Sequence, residues 1–167
     1  MQFLIFNGAT NTTAAPVKVA TGTAIKTMLQ VKTLVPGRIV EWGVSFDASA
    51  AATPGQVELI DTGTVAATVT ATATADITQY DAEAMQANIN TTFFTLSTTT
   101  TGYTATIEGS VTATRNLAGP QMIAPTNQFI EQFPLGYRPF VSQLNYERIR
   151  MTFGTTVNAY AYVIIEF

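Results

Sequence analysis

Neither cysteine nor histidine occurs among the 167 residues. Without cysteine there are no disulfides, no thiolate metal ligands and no Cys nucleophile. Without histidine the commonest general base and the commonest metal ligand are both missing. Ser–His–Asp and Cys–His catalysis and zinc centres are thereby excluded. Charge is scarce as well: Asp, Glu, Lys and Arg make up 11% of the chain, with a net charge of −3, against about 25% in an ordinary soluble domain. Thr, Ser, Asn, Gln and Ala must therefore cover most of the surface, which suits a protein surrounded by neighbours. Arg148 and Arg150 form the only close basic pair, so nothing gathers phosphates and no nucleic-acid partner is expected. Long apolar runs are missing too. None approaches the ~20 residues that cross a bilayer, and MQFLIF lacks the basic start and apolar length of a signal peptide. No membrane partner and no cofactor are expected.

What is present is alternation. In Ile39–Asp47, IVEWGVSFD, one parity holds Val40, Trp42, Val44 and Phe46, and the other holds Glu41, Gly43, Ser45 and Asp47. That period of two is a strand with one face in a core. Gln56–Asp61 alternates behind the Pro54–Gly55 turn, with Val57 and Leu59 inward. ERIRMTF sets Ile149, Met151 and Phe153 against Arg148, Arg150 and Thr152. The closing NAYAYVIIEF is apolar on both parities, which predicts a strand covered on both sides. Further strands are expected at Gln2–Phe6, Thr27–Lys32, Thr104–Thr106 toward Val111, and Gln128–Phe133. One short helix is expected at Asp81–Asn88, capped by Asp81. The length fits a single domain spanning 1–167. Many short strands between Gly/Pro turns indicate an all-β antiparallel sandwich, with jelly roll the favoured topology.

Thr62–Thr78, TGTVAATVTATATADIT, keeps Thr on most even positions and Val, Ala or Ile on most odd ones. Disordered low-complexity sequence has no reason to hold such a parity, and Thr favours strands. At ~3.3 Å per residue the stretch would span about 55 Å, too long for one strand of a small domain. It should therefore be a hairpin around Ala71–Ala75 or a strand running past the body. Its Val/Ala side is expected against the other sheet.

Few residues suggest chemistry. Glu41, Glu58, Glu108 and Glu131 could supply a carboxylate pair, but single solvated carboxylates on outward faces are the plainer reading. Asp76, Asp81 and Glu83 could offer oxygens to Ca²⁺, although a capped short helix explains the last two equally well. Arg148 and Arg150 could bind an acidic partner or meet cross-strand carboxylates. Tyr160/Tyr162 and Phe93–Phe94 could form a sugar platform, with core packing the commoner role. The segment FPLGYRPFV, Phe133–Val141, holds two X-Pro steps and a glycine. It should form a stiff connection carrying large apolar side chains, either pinned to the sandwich or serving as an interface anchor.

Three segments in order, GRIVEWGVSFDASAAATPGQVELID, IEQFPLGYRPFV and ERIRMTF…NAYAYVIIEF, resemble the small β-sandwich head decoration (cement) proteins of tailed bacteriophages, usually encoded beside the major capsid protein. W-x-V-S-F-D, the PLG turn and the R-I-R strand carry the resemblance, which runs from about Thr21 to Phe167. It is weakest over the Thr/Ala stretch and Gln79–Gly109. The family implies no enzyme. It implies a structural protein of the virion, made in the host cytoplasm, that sits on the capsid surface as a homo-oligomer and bridges neighbouring capsomers of the major capsid protein. The expected contacts are an edge or extending strand over residues 1–6, through Phe3 and Ile5, and the apolar connection, through Phe133, Leu135, Tyr137, Arg138 and Phe140. Two alternatives are a carbohydrate- or receptor-binding sandwich on a head or tail fibre and a tail or connector component.

Overall fold

The computed structural model describes residues 1–48, 53–80, 89–110 and 115–167. In chain order its strands are β1 (Gln2–Phe6), β2 (Val19–Ala20), β3 (Lys26–Lys32), β4 (Gly37–Asp47), β5 (Gly55–Asp61), β6 (Thr68–Ala71), β7 (Thr78–Gln79), β8 (Gly102–Ile107), β9 (Arg115–Ile123), β10 (Gln128–Gln132), β11 (Phe140–Val141), β12 (Tyr146–Thr152) and β13 (Asn158–Glu166). Among the described residues one α-helical turn, α1, covers Ile89–Thr92. The expected helix Asp81–Asn88 and the reach of β8 toward Val111 lie outside the described residues.

One sheet runs β10-β4-β13-β1-β7, with β2 and β11 alongside, and the other runs β6-β8-β3-β12-β5-β9. All ladders are antiparallel. Without the short additions the sheets are β1-β13-β4-β10 and β3-β12-β5-β9, with the first strand beside the last. The chain changes sheet at every step except β5 to β9. That order is the jelly roll.

Between the sheets lies one continuous core. Phe3, Ile5, Ile39, Trp42, Val44, Ala161, Val163 and Ile165 of one sheet meet Leu29, Val31, Val57, Leu59, Ile149 and Met151 of the other. The period-2 segments thus place their apolar parity as expected, with one exception in β4. Its ladder with β13 slips between Ile164 and Ile165, which pair with Glu41 and Ile39, so Val40 is an extra residue. This bulge reverses the parity, and Ile39 takes the core position that alternation gave to Val40. The outer parity of β13 is also different from the expectation of two covered faces: Tyr160, Tyr162 and Ile164 are half-exposed.

The step from β5 to β9 contains the long excursion that builds the far edges. Thr62–Thr78 is neither a hairpin nor one long strand. Its β6 pairs with β8 at the edge of one sheet, a 3₁₀ turn covers Thr74–Asp76, and β7 pairs with β1 at the edge of the other. Pairing partners at both ends overrode the local parity. Ala67 and Val69 are buried in a small cluster with Ala105, whereas Ala71, Ala73 and Ala75 are exposed. Phe93 and Phe94, just after α1, seal this side of the core against Phe3 at ring separations of 5.0 and 5.6 Å. They belong to the core and form no sugar platform.

Candidate functional site

The sequence expectation for β1 needs correction first. Phe3 and Ile5 are completely buried, and β1 is flanked by β13 on one side and β7 on the other. Phe3 and Ile5 are spent on the core, Leu4 and Phe6 face the outer side of the sheet, and the edge at Phe3 and Leu4 is taken by the Thr/Ala crossover. Phe3 and Ile5 therefore hold the fold together and are not available as interface contacts.

The connection from β10 to β11 is exposed. The Tyr137 amide donates to the Pro134 carbonyl at 2.9 Å, and Gly136 has φ +93°. Pro134–Tyr137 is thus a type II turn, whose third position requires a residue that tolerates positive φ. Both feet are tied to β4: Phe133 N donates to Val40 O at 2.8 Å and Ile39 N donates to Pro139 O at 3.0 Å. Arg38 reaches the Arg138 carbonyl at 3.1 Å, and Arg138 pairs with Glu166 at 2.5 Å. At the tip Leu135 and Tyr137 are each 82% exposed, with Phe140 and Ile130 partly exposed nearby along the same β4 flank. Phe133 packs against the core. The segment is therefore both pinned and apolar, with Phe133 and Arg138 fixing it and Leu135, Tyr137 and Phe140 presented.

The outer face of the seven-stranded sheet carries a second feature. Phe6 pairs with Tyr162 and Tyr162 with Gly43; Leu4 pairs with Ile164 and Ile164 with Glu41. A Cβ at position 43 would lie 2.5 Å from the Tyr162 ring, so only glycine lets that ring lie across β4. Its hydroxyl donates to Glu41 at 2.6 Å, and burial together with that bond pushes the phenol well above its ordinary range. Tyr80 stands beside these residues, 53% exposed, and the group lines a shallow groove of about 240 Å³. Tyr160 packs on Phe6 at 5.3 Å and donates to the Pro16 carbonyl.

Charged groups elsewhere are held by partners. Arg150 pairs with Glu58 at 2.5 Å, the cross-strand arrangement that alternation allowed. Arg148 is fully buried on the outer face of its sheet and donates to the carbonyls of Glu108 and Val65. Glu108 accepts from Thr27, and Glu131 accepts from the Trp42 indole at 2.9 Å. The expected solvated carboxylates are thus fixed in hydrogen bonds. Asp76 accepts from the Thr10 and Asn11 amides at 2.8 and 2.9 Å and so ties down the N-terminal loop. Asp81 and Glu83 lie outside the described residues, among which no cluster of three or more metal-ligating side chains is present.

One acidic pair was missed. Asp61 and Glu147 face each other across β5 and β12, on the parity of Leu59 and Ile149. Asp61 accepts from the Gly63 amide and the Asn145 amide group, and Arg115 lies 3.5 Å away. Glu147 is 2% exposed, and neither of its oxygens has a hydrogen-bond partner among the described residues. Burial, reinforced by the Asp61 charge and only partly offset by Arg115, pushes its carboxyl up to about 9. It is therefore protonated at neutral pH. The signal was available, because Glu147 shares parity with Ile149 and Asp61 with Leu59.

A scan against protein-family models, a search of curated proteins and a search of solved structures each returned no match.

Proposed function

We propose that this chain is a non-enzymatic structural protein of a tailed-phage virion that decorates the capsid and stabilises it by bridging neighbouring capsomers. The single observation that carries the proposal is the pinned type II turn with Leu135 and Tyr137 at its tip. A large apolar side chain contributes about 1.5–3 kcal/mol when it passes from exposed to buried. Here little conformational entropy opposes docking, because both feet of the turn are already bonded to β4. The resemblance of the sequence to head decoration proteins supports the same assignment; the jelly roll alone would not, since that fold hosts many functions.

Under this proposal the partner is the major capsid protein and the site of action is the capsid surface. Each contact can be weak, because many copies on a symmetric lattice gain avidity, above all if the protein is a homo-oligomer. Binding to the closed shell raises the free energy of opening it. The test is a pull-down of purified protein with shells of the parent phage that lack it. The doubly substituted Leu135→Ser, Tyr137→Ser protein should keep its thermal stability and fail to sediment with the shells. Undiminished co-sedimentation would reject the turn as the anchor, and failure of the native protein to sediment would reject the shell as the partner.

A further inference from the structure

We propose that the groove on the outer face of the seven-stranded sheet binds one pyranose ring of an uncharged glycan, with Tyr162 as the stacking platform and Glu41 as an acceptor for sugar hydroxyls. This goes beyond the capsid assignment and rests on different residues.

The sheet register builds the platform. Because Tyr162 stands opposite Gly43, its ring occupies the space that a Cβ would fill at 2.5 Å and lies along the surface of β4. A ring that covers a glycine on the outer face of a sheet can offer its electron-rich face to a ligand in the groove. That face attracts the weakly positive C–H groups on the apolar side of a sugar ring, by the same electrostatics that govern aromatic pairs. An upright ring filling a core gap would offer only its edge.

The remaining lining fits the same ligand. Leu4, Phe6 and Ile164 give an apolar floor, and Tyr80 forms a flank that is more than half exposed. Glu41 is the only charged residue among the described residues of the lining. One of its oxygens is held by the Tyr162 hydroxyl at 2.6 Å, which fixes the carboxylate, while the other receives no hydrogen bond from a described residue. A fixed acceptor whose described groove lining holds no cation repels anionic ligands and favours ligands rich in hydroxyl donors. At about 240 Å³ the groove is smaller than the roughly 300–1,000 Å³ of drug-sized sites, which suits one ring of a longer chain. A quaternary ammonium group would need several rings around it as a cage, and among the described residues the aromatic lining is Phe6, Tyr80 and Tyr162.

Gly43→Ala supplies the sharpest variant. The atoms that its Cβ would strike are the far end of the Tyr162 side chain, so the ring is lifted from the sheet while the backbone stays in place. The full chain and its Gly43→Ala and Tyr80→Ala variants are applied to a glycan microarray that also displays phosphocholine. The strongest soluble oligosaccharide hit is then titrated calorimetrically against all three. The expected result is retention of uncharged hexose-containing glycans by the native chain. Affinity should fall about tenfold or more in both variants, in line with the loss of one stacked ring, while their thermal unfolding stays close to native. The proposal is overturned by no glycan binding, by equal binding in the native and Gly43→Ala proteins, or by a preference for phosphocholine or anionic glycans.

Discussion

Replacing Glu147 with glutamine is expected to stabilise the fold at neutral pH and to flatten its dependence on pH. In the unfolded chain this carboxyl ionises around its ordinary value of 4.5, whereas in the fold it holds its proton up to about 9. Between those values the native state binds one more proton than the unfolded state. Stability therefore falls as pH rises through the window, by about 1.4 kcal/mol per pH unit, and is level on either side. From pH 4.5 to pH 7 the loss is on the order of 3 kcal/mol, a large share of the ~5–15 kcal/mol of an ordinary domain. Glutamine has nearly the same shape and does not titrate. Urea denaturation of both proteins at pH 4.5, 6, 7 and 8 should give a difference near zero at the acid end that widens with pH in favour of Glu147→Gln. Groups common to both proteins cancel in that difference. A constant difference across the series would show that Glu147 is ionised in the native state and would refute the reasoning from burial beside Asp61.

Three further outcomes follow from packing. Phe3→Ala should cost about 3–5 kcal/mol in a denaturant titration, because Phe3 is fully buried against Phe93 and Phe94; a cost under 1 kcal/mol would return β1 to the role of a dispensable edge. Glu58→Gln should destabilise by roughly 3 kcal/mol, since it leaves the largely buried Arg150 without its counter-charge, and the double variant Glu58→Leu, Arg150→Met should recover most of that loss. Gly136→Val should cost about 1–2 kcal/mol, because φ +93° is strained for a β-branched residue, and it should weaken shell binding by tilting Leu135 and Tyr137.

How far the sequence could be read depended on whether a feature was local. The strands β4, β5 and β12 were visible because each alternates over a half-buried surface, and their parity named most of the core. Val40 was misplaced because a bulge adds a residue without a sequence mark of its own, and only the pairing of Ile39 with Ile165 reveals it. Thr62–Thr78 had strand propensity throughout, yet two sheet edges needed closing and divided it into β6 and β7. The stiffness of FPLGYRPFV was legible from Pro and Gly, whereas its exposure was not. Tyr162 was noticed as an aromatic, but its platform depends on the glycine opposite in another strand, which alternation along one strand cannot supply. Glu147 lay in plain view: extending the parity of ERIRMTF back by two residues from Ile149 places a carboxyl in the core.

Cryo-electron microscopy of the virion whose genome encodes this chain bears most directly on its proposed role. Density for the jelly roll should recur across the head in hundreds of copies, with the Leu135–Tyr137 turn seated on the major capsid protein at the boundary between capsomers. Density on the tail alone, or no density for this chain in the virion, would contradict the proposal.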